Sequence, residues 1–184
     1  MTKLKFDSTS SVKGVLFQFL IALERCFEMQ EGQSVYIETY GDVSILGKLS
    51  DSKQIESKLY KRNLTDLDKN VWKSIYNWIR EDFPVDTFSS LILLTTQKVP
   101  IGSAWLNWNG KNPSERMEVL RNIKTNFDSR KRKDKDLSTY MTVIFDVKSA
   151  TRLSQITKML YIDSISMDGN QYHKYLQEKY GKAI

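Results

Sequence analysis

The sequence predicts an α/β fold in which a mixed central sheet is flanked by helices. Three observations predict it. A long run near the start carries apolar residues at helical spacing. Three short strand-like runs follow it in quick succession. After them, helix-like and strand-like segments alternate to the end of the chain.

The first element starts near the Ser8-Thr9-Ser10-Ser11 run, any member of which can cap a helix. Residues 1–10 are polar and read as loose. Apolar positions 12, 15, 16, 19, 20, 23, 26 and 27 then repeat with helical period through about Met29. Phe17 and Ile21 add apolar bulk on another side, so this helix is expected to be covered on more than one face. Gly32 ends it.

SVYIET (34–39), DVSILG (42–47) and KQIESKLY (53–60) read as strands. Tyr40-Gly41 makes a tight connection, and residues 47–52 form a polar turn. Asp66 or Asp68 can cap the next helix, whose apolar positions are 71, 72, 75, 78 and 79 and which Pro84 terminates. FSSLILLTT (88–96) is short and almost purely apolar, the pattern of a strand buried on both faces.

Asn112-Pro113-Ser114-Glu115 is a helix start, with a cap, a Pro at the first position and a Glu at the third. Met117, Leu120, Ile123 and Phe127 form its stripe. SRKRKDKD (129–136) reads as a charged turn, YMTVIFDV (140–147) as a strand, and 150–162 as a helix buried along Leu153, Ile156, Met159 and Leu160. A last helix spans 170–180. The predicted order is α-β-β-β-α-β-α-β-α-α, with no internal repeat and no long linker.

Composition narrows the function classes. A chain of 184 residues suits one domain, and 40% hydrophobic with 27% charged residues is ordinary for a globule. The net charge of +6 favours an anionic partner. The single Cys26 excludes an internal disulfide and a cysteine-based zinc site, and fits a reducing cytosol. The only histidine, His173, excludes a His-clustered metal site and reads as a surface helix residue. No apolar run is long enough for a membrane span or secretory signal. Trp105 and Trp108 read as core rather than as base-stacking platforms.

The chemistry concentrates between Val35 and Tyr60. Asp42 opens the second strand, and Glu56-Ser57-Lys58 lies on the third. Strand alternation puts Gln54, Glu56 and Lys58 on one face. Two carboxylates converging on Mg²⁺, with a Lys to steady the attacking water or the phosphate, is the constellation of a metal-dependent phosphodiesterase. The tripeptide alone is unspecific, since Asp51-Ser52-Lys53 and Asp146-Val147-Lys148 share its form. What singles out Glu56 is an upstream Asp at a strand start, a further acid at Glu38, and hairpin spacing. The bland alternative is a charged two-stranded edge with solvated side chains.

These residues also carry a family resemblance. KGVLFQFLIALERC (13–26), VYIETYGDVSI (35–45) and QIESK (54–58) together resemble the double-stranded-DNA endonuclease domain of bacterial anti-phage effectors. That domain occurs in cyclic-oligonucleotide-gated (CBASS), Lamassu-type and helicase-associated defence proteins, within the PD-(D/E)xK superfamily. The family's first helix typically reads Arg-Gly-Phe-x-Tyr-Gln, matched by Lys13-Gly14-Val15-Leu16-Phe17-Gln18. Its Glu and Asp correspond to Glu38 and Asp42. Its Val-Gln-Val-Lys corresponds to Ile55-Glu56-Ser57-Lys58. Glu56 stands where many members have Gln, and Ser57 replaces an apolar residue. The resemblance covers about residues 10–100, and beyond them only the order of elements.

It implies a restriction-endonuclease-like core and a single nuclease domain over 1–184, the N-terminal part of a longer cytoplasmic protein, with the tail QYHKYLQEKYGKAI running into a linker. It implies catalysis by Asp42, Glu56, Lys58 and Gln18, with Gln18 bonding Lys58 or phosphate. Mg²⁺ would be bound by Asp42 and Glu56, with Glu38 as a further ligand, and Mn²⁺ able to substitute. The DNA contacts would come from Lys61, Arg62, Arg130, Lys131, Arg132 and Lys133. The implied partners are double-stranded DNA, further copies of the chain when active, and a sensor or ATPase subunit, with no membrane. The competing expectations are a catalytically inactive nuclease fold acting in DNA binding or oligomerisation, and an interaction module whose basic face binds an acidic partner.

Overall fold

The computed structural model describes residues 9–165 and 167–181. The loose N-terminal stretch and the Ser8 cap therefore lie outside the described residues, as does the end of the tail from Lys182. The chain runs through α1 (Thr9–Glu28), β1 (Ser34–Ile37), β2 (Val43–Leu46), β3 (Lys53–Lys58), α2 (Lys69–Ile79) and β4 (Ser90–Thr95). It continues through α3 (Pro113–Asp128), α4 (Lys135–Ile144), α5 (Ala150–Met159), β5 (Leu160–Ser164) and α6 (Gly169–Tyr180).

The fold is α/β. Five strands form one mixed sheet in the order β1-β2-β3-β4-β5. β1, β2 and β3 are an antiparallel meander, and β3, β4 and β5 are parallel, so β2 alone runs against the others. Parallel pairing needs crossovers, which α2 supplies between β3 and β4, and α3–α5 between β4 and β5. β4 is paired on both sides, and Leu91, Leu93 and Leu94 are buried.

The two faces carry separate cores. On one, α2–α5 bury Trp72, Trp78, Trp105 and Trp108 against Leu91 and Leu93. Both tryptophans of AWLNW are thus core residues, with indole N–H groups donated to the carbonyls of Thr65 and Leu160. On the other face, α1 and α6 pack Phe17, Ile21, Tyr172 and Leu176 on Val43, Ile45, Ile55 and Leu94. The Tyr172 hydroxyl donates to Glu24, and Lys179 reaches Glu24 at 3.2 Å and Glu28 at 3.0 Å. Burial, and then the Glu24 carboxylate, push the Tyr172 phenol well above its ordinary range. The tail through Tyr180 is therefore docked on α1. His173 is exposed on α6.

Two elements differ from the sequence expectation. Residues 140–147 are not a strand. Asp134 accepts hydrogen bonds from the N–H groups of Asp136 and Leu137, which starts α4 inside the charge run. Leu137, Met141 and Ile144 are then buried at helical spacing, while Thr142 and Val143 are exposed. Aromatic and β-branched composition mimicked a strand, but the burial period is helical.

The helix expected over 150–162 stops at Met159, and Leu160 begins β5. The unpaired edge of β4 captures this segment in parallel register, Leu91↔Leu160 through Thr95↔Ser164. Buried Arg116 assists: its guanidinium donates to the carbonyls of Thr157, Lys158 and Leu160, and also to Trp108 and Asn109. It thereby satisfies carbonyls at the end of α5 that a continuing helix would have used. The observed order is α-β-β-β-α-β-α-α-α-β-α. Among the described residues no helix is long and apolar enough to cross a membrane.

Candidate active site

The β2–β3 pairing fixes the geometry. Its register is Val43↔Ile55, Ser44↔Gln54 and Ile45↔Lys53. One step beyond the ladder, Asp42 falls opposite Glu56. The preceding turn is held by a bond from the Glu38 N–H to the Asp42 carbonyl at 3.1 Å. Asp42 Oδ2 accepts from the Ser57 N–H at 2.8 Å and from Ser57 Oγ at 2.9 Å. Lys58 Nζ lies 2.7 Å from Glu56 Oε1, as i and i+2 on one strand face require. Glu56 and Lys58 are thus paired at the C-terminal end of β3, and Asp42 is anchored beside them on Ser57.

Burial raises the Glu56 carboxyl above its ordinary range. The ammonium of Lys58 works against this shift, and the Asp42 carboxylate adds to it. Behind Glu56, Gln54 Oε1 accepts from the Trp78 indole at 2.7 Å, which ties the site to α2. Gln54 Nε2 is buried without a hydrogen-bond partner. The Gly41 backbone closes on the same group: a Cβ at position 41 would stand 2.3 Å from Gln54 Nε2, and φ there is +101°. Only glycine combines that backbone with that approach.

Sequence reasoning noted Gly41 as a turn and Gln54 as a same-face neighbour. It did not foresee the Trp78–Gln54 bond or the anchoring of Asp42 by Ser57. Ser57 in place of an apolar residue was the visible signal for the second.

The other sequence-predicted residues fall elsewhere. Gln18 is on α1, which covers the Ile55 face, opposite the one that bears Glu56. Its Oε1 is buried without a partner, so it makes no bond to Lys58. Glu38 is exposed in the β1–β2 turn, with φ +57°. Among the described residues no three His, Cys, Asp or Glu side chains converge as a metal-holding group, so Glu38 is not gathered with Asp42 and Glu56.

Lys61 and Arg62 are exposed just beyond β3, and Arg62 Nε is 3.6 Å from Asp68 Oδ2. Arg130, Lys131, Arg132 and Lys133 are exposed in the α3–α4 turn, where Lys133 Nζ is 3.7 Å from Asp128. Lys69, at the start of α2, reaches Asp134 at 3.5 Å, and the adjacent cap residue Asp68 is the partner of Arg62. Both basic groups therefore lie around the N-terminus of α2, at the same end of the sheet as Lys58.

The donors suit a hard divalent cation. One ammonium pairs with Glu56 while the Asp42 carboxylate adds negative charge nearby, and Mg²⁺ takes one or two carboxylates plus water and phosphate oxygens. No protein-family model, curated protein or solved structure matches this chain.

Proposed function

We propose that this chain is a Mg²⁺-dependent endonuclease with a restriction-endonuclease-like fold, hydrolysing phosphodiester bonds in double-stranded DNA. One observation carries the reading: the β2–β3 register that sets Asp42 across from Glu56, with Lys58 2.7 Å from Glu56 on the same face. The α-β-β-β-α-β order of the first half supports it, because a helix, a three-strand meander, a helix and a buried strand form the common core of that fold.

Asp42 and Glu56 would hold the ion, whose chemistry when bound is activation of a water and neutralisation of phosphate charge. Lys58 keeps an ammonium beside them. It orients the attacking water or stabilises charge developing on the phosphorane. Lys61, Arg62 and the Arg130–Lys133 turn supply phosphate contacts that position DNA without reading its sequence. A role as a cytoplasmic effector of bacterial anti-phage defence, acting with a sensor or ATPase subunit, rests on the resemblance of residues 10–100.

A catalytically silent version of the fold is the second reading. It is favoured by the engagement of Asp42 Oδ2 with Ser57 and, among the described residues, by no third carboxylate joining Asp42 and Glu56. Incubation of supercoiled plasmid with the protein and Mg²⁺ separates the two. Nicking and linearisation that EDTA abolishes are expected. DNA binding without cleavage, in Mg²⁺ and in Mn²⁺, establishes the silent reading instead.

A further inference from the structure

α1 is apolar on two opposite sides. Phe17 and Ile21 face the sheet. On the far side Val12, Leu16, Phe19 and Leu23 are 40–58% exposed. Exposed Cys26 continues the line, and exposed Val15 widens it. Positions 12, 16, 19, 23 and 26 step by four, three, four and three, which is the spacing of a helix seam that meets a second helix. No charged residue interrupts it.

We propose that this face of α1 is the surface through which two copies of the chain associate, α1 against α1. The seam matches a helix of its own pitch, and a two-fold axis makes one patch its own complement. Charge disfavours other occupants. Lys13 and Arg25 are the only basic residues of α1, and Arg25 is held by Glu28 at 2.6 Å and Glu24 at 3.5 Å. A helix lying on an anionic membrane carries a cationic rim that α1 lacks, and the seam has nothing to offer nucleic acid.

The area reaches that of a small interface. Half-exposed side chains of this number and size present on the order of 500 Å², the upper range for an apolar patch on a monomer. Two such patches in full contact remove at most roughly 1,000 Å² from water, the lower bound for a specific interface. The association is independent of whether the chain cuts DNA.

Analytical ultracentrifugation tests it. The wild-type protein is expected to reach twice the monomer mass as concentration rises. Leu16→Glu with Leu23→Glu is expected to weaken dimerisation by at least about 30-fold while leaving the melting temperature nearly unchanged, because both positions face solvent in the monomer. A Phe19→Cys, Cys26→Ser protein keeps one thiol at the centre of the seam. It should form a disulfide-linked dimer under mild oxidation whichever way the two helices run. A wild-type protein that stays monomeric overturns the proposal. So does a double-Glu variant that dimerises like wild type, or a Phe19→Cys, Cys26→Ser protein that does not cross-link.

Discussion

Glu56-Ser57-Lys58 and Asp146-Val147-Lys148 have the same acid-x-Lys form and opposite surroundings. The first lies on β3. Its acid is buried, its Lys sits 2.7 Å away on the same face, and Asp42 stands across the ladder. The second lies in the turn between α4 and α5. Asp146 caps a 3-10 turn over Val147–Ser149, and its Oδ1 accepts the Lys148 N–H at 2.8 Å. Val147 is 90% exposed. A strand sends residues i and i+2 to one face, whereas a turn lets an Asp spend its carboxylate on its own backbone. The same acid-x-Lys form therefore makes a candidate metal site in one place and the cap of a 3-10 turn in the other.

The widest separation is expected in activity. Glu56→Ala should lower Mg²⁺-dependent plasmid cleavage by about 10²–10³-fold or more, because a site of two protein carboxylates cannot place its ion after losing one. Asp146→Ala should cleave like wild type. Its cost is stability, about 1 kcal/mol for the lost cap, read from a denaturant midpoint. The reverse pattern, with Asp146→Ala inactive and Glu56→Ala active, moves the active site elsewhere and ends the comparison.

Lys58→Ala tests whether the Lys of the strand tripeptide works in the transition state. Cleavage should fall by about 10²-fold, whereas DNA affinity in a mobility-shift assay should barely change, since the proposed phosphate contacts are spread over Lys61, Arg62 and residues 130–133. Lys148→Ala is the matched control and should do neither. Unimpaired cutting by Lys58→Ala identifies the wrong Lys.

The support behind Glu56 has its own test. Gly41→Ala should destabilise the fold by about 1–3 kcal/mol, because φ +101° is strained for an L side chain and the new methyl would strike Gln54. Gly14→Ala is the contrast. It lies within α1 with nothing within 4 Å of the added Cβ, and should stabilise by about 0.5–1 kcal/mol. Equal melting temperatures for the two variants contradict the close approach at Gly41.

Legibility in the sequence followed the range of the interactions. The first half was readable because its signals are local: helical period in α1, alternation and turn residues around Asp42 and Glu56, and an Asp cap before Val71. The α4 error was also local, a strand-like composition over the helical burial period that the Asp134 cap starts, but the β5 error has a different cause. β5 exists because β4 offers a free edge and Arg116, far away in sequence, takes the carbonyls that end α5. Nothing near Leu160 announces this. In the site, the acid pair and Lys58 were legible from alternation. Gln18 was associated with Lys58 through the resemblance alone, and its helix packs on the other face of the sheet.

The smallest expected effect concerns the middle residue of the two tripeptides, Ser57 and Val147. Asp42 Oδ2 receives two bonds from residue 57, one from the backbone N–H at 2.8 Å and one from Oγ at 2.9 Å. Ser57→Val gives both tripeptides the same centre, keeps the backbone donor, and suits a strand. Losing one hydrogen bond to a charged group costs about 1.5 kcal/mol when its partner keeps another, which limits the loss of cleavage to roughly tenfold. A modest fall at saturating Mg²⁺ is the expected result, recovered in part by Ser57→Thr, which restores a hydroxyl. A rise in activity would mean that Ser57 holds Asp42 away from the ion, and that the observed contact belongs to a resting arrangement. No change at all would leave the backbone N–H as the whole anchor. The contrast with Asp146-Val147-Lys148 would then reduce to strand against turn, with the central residue irrelevant.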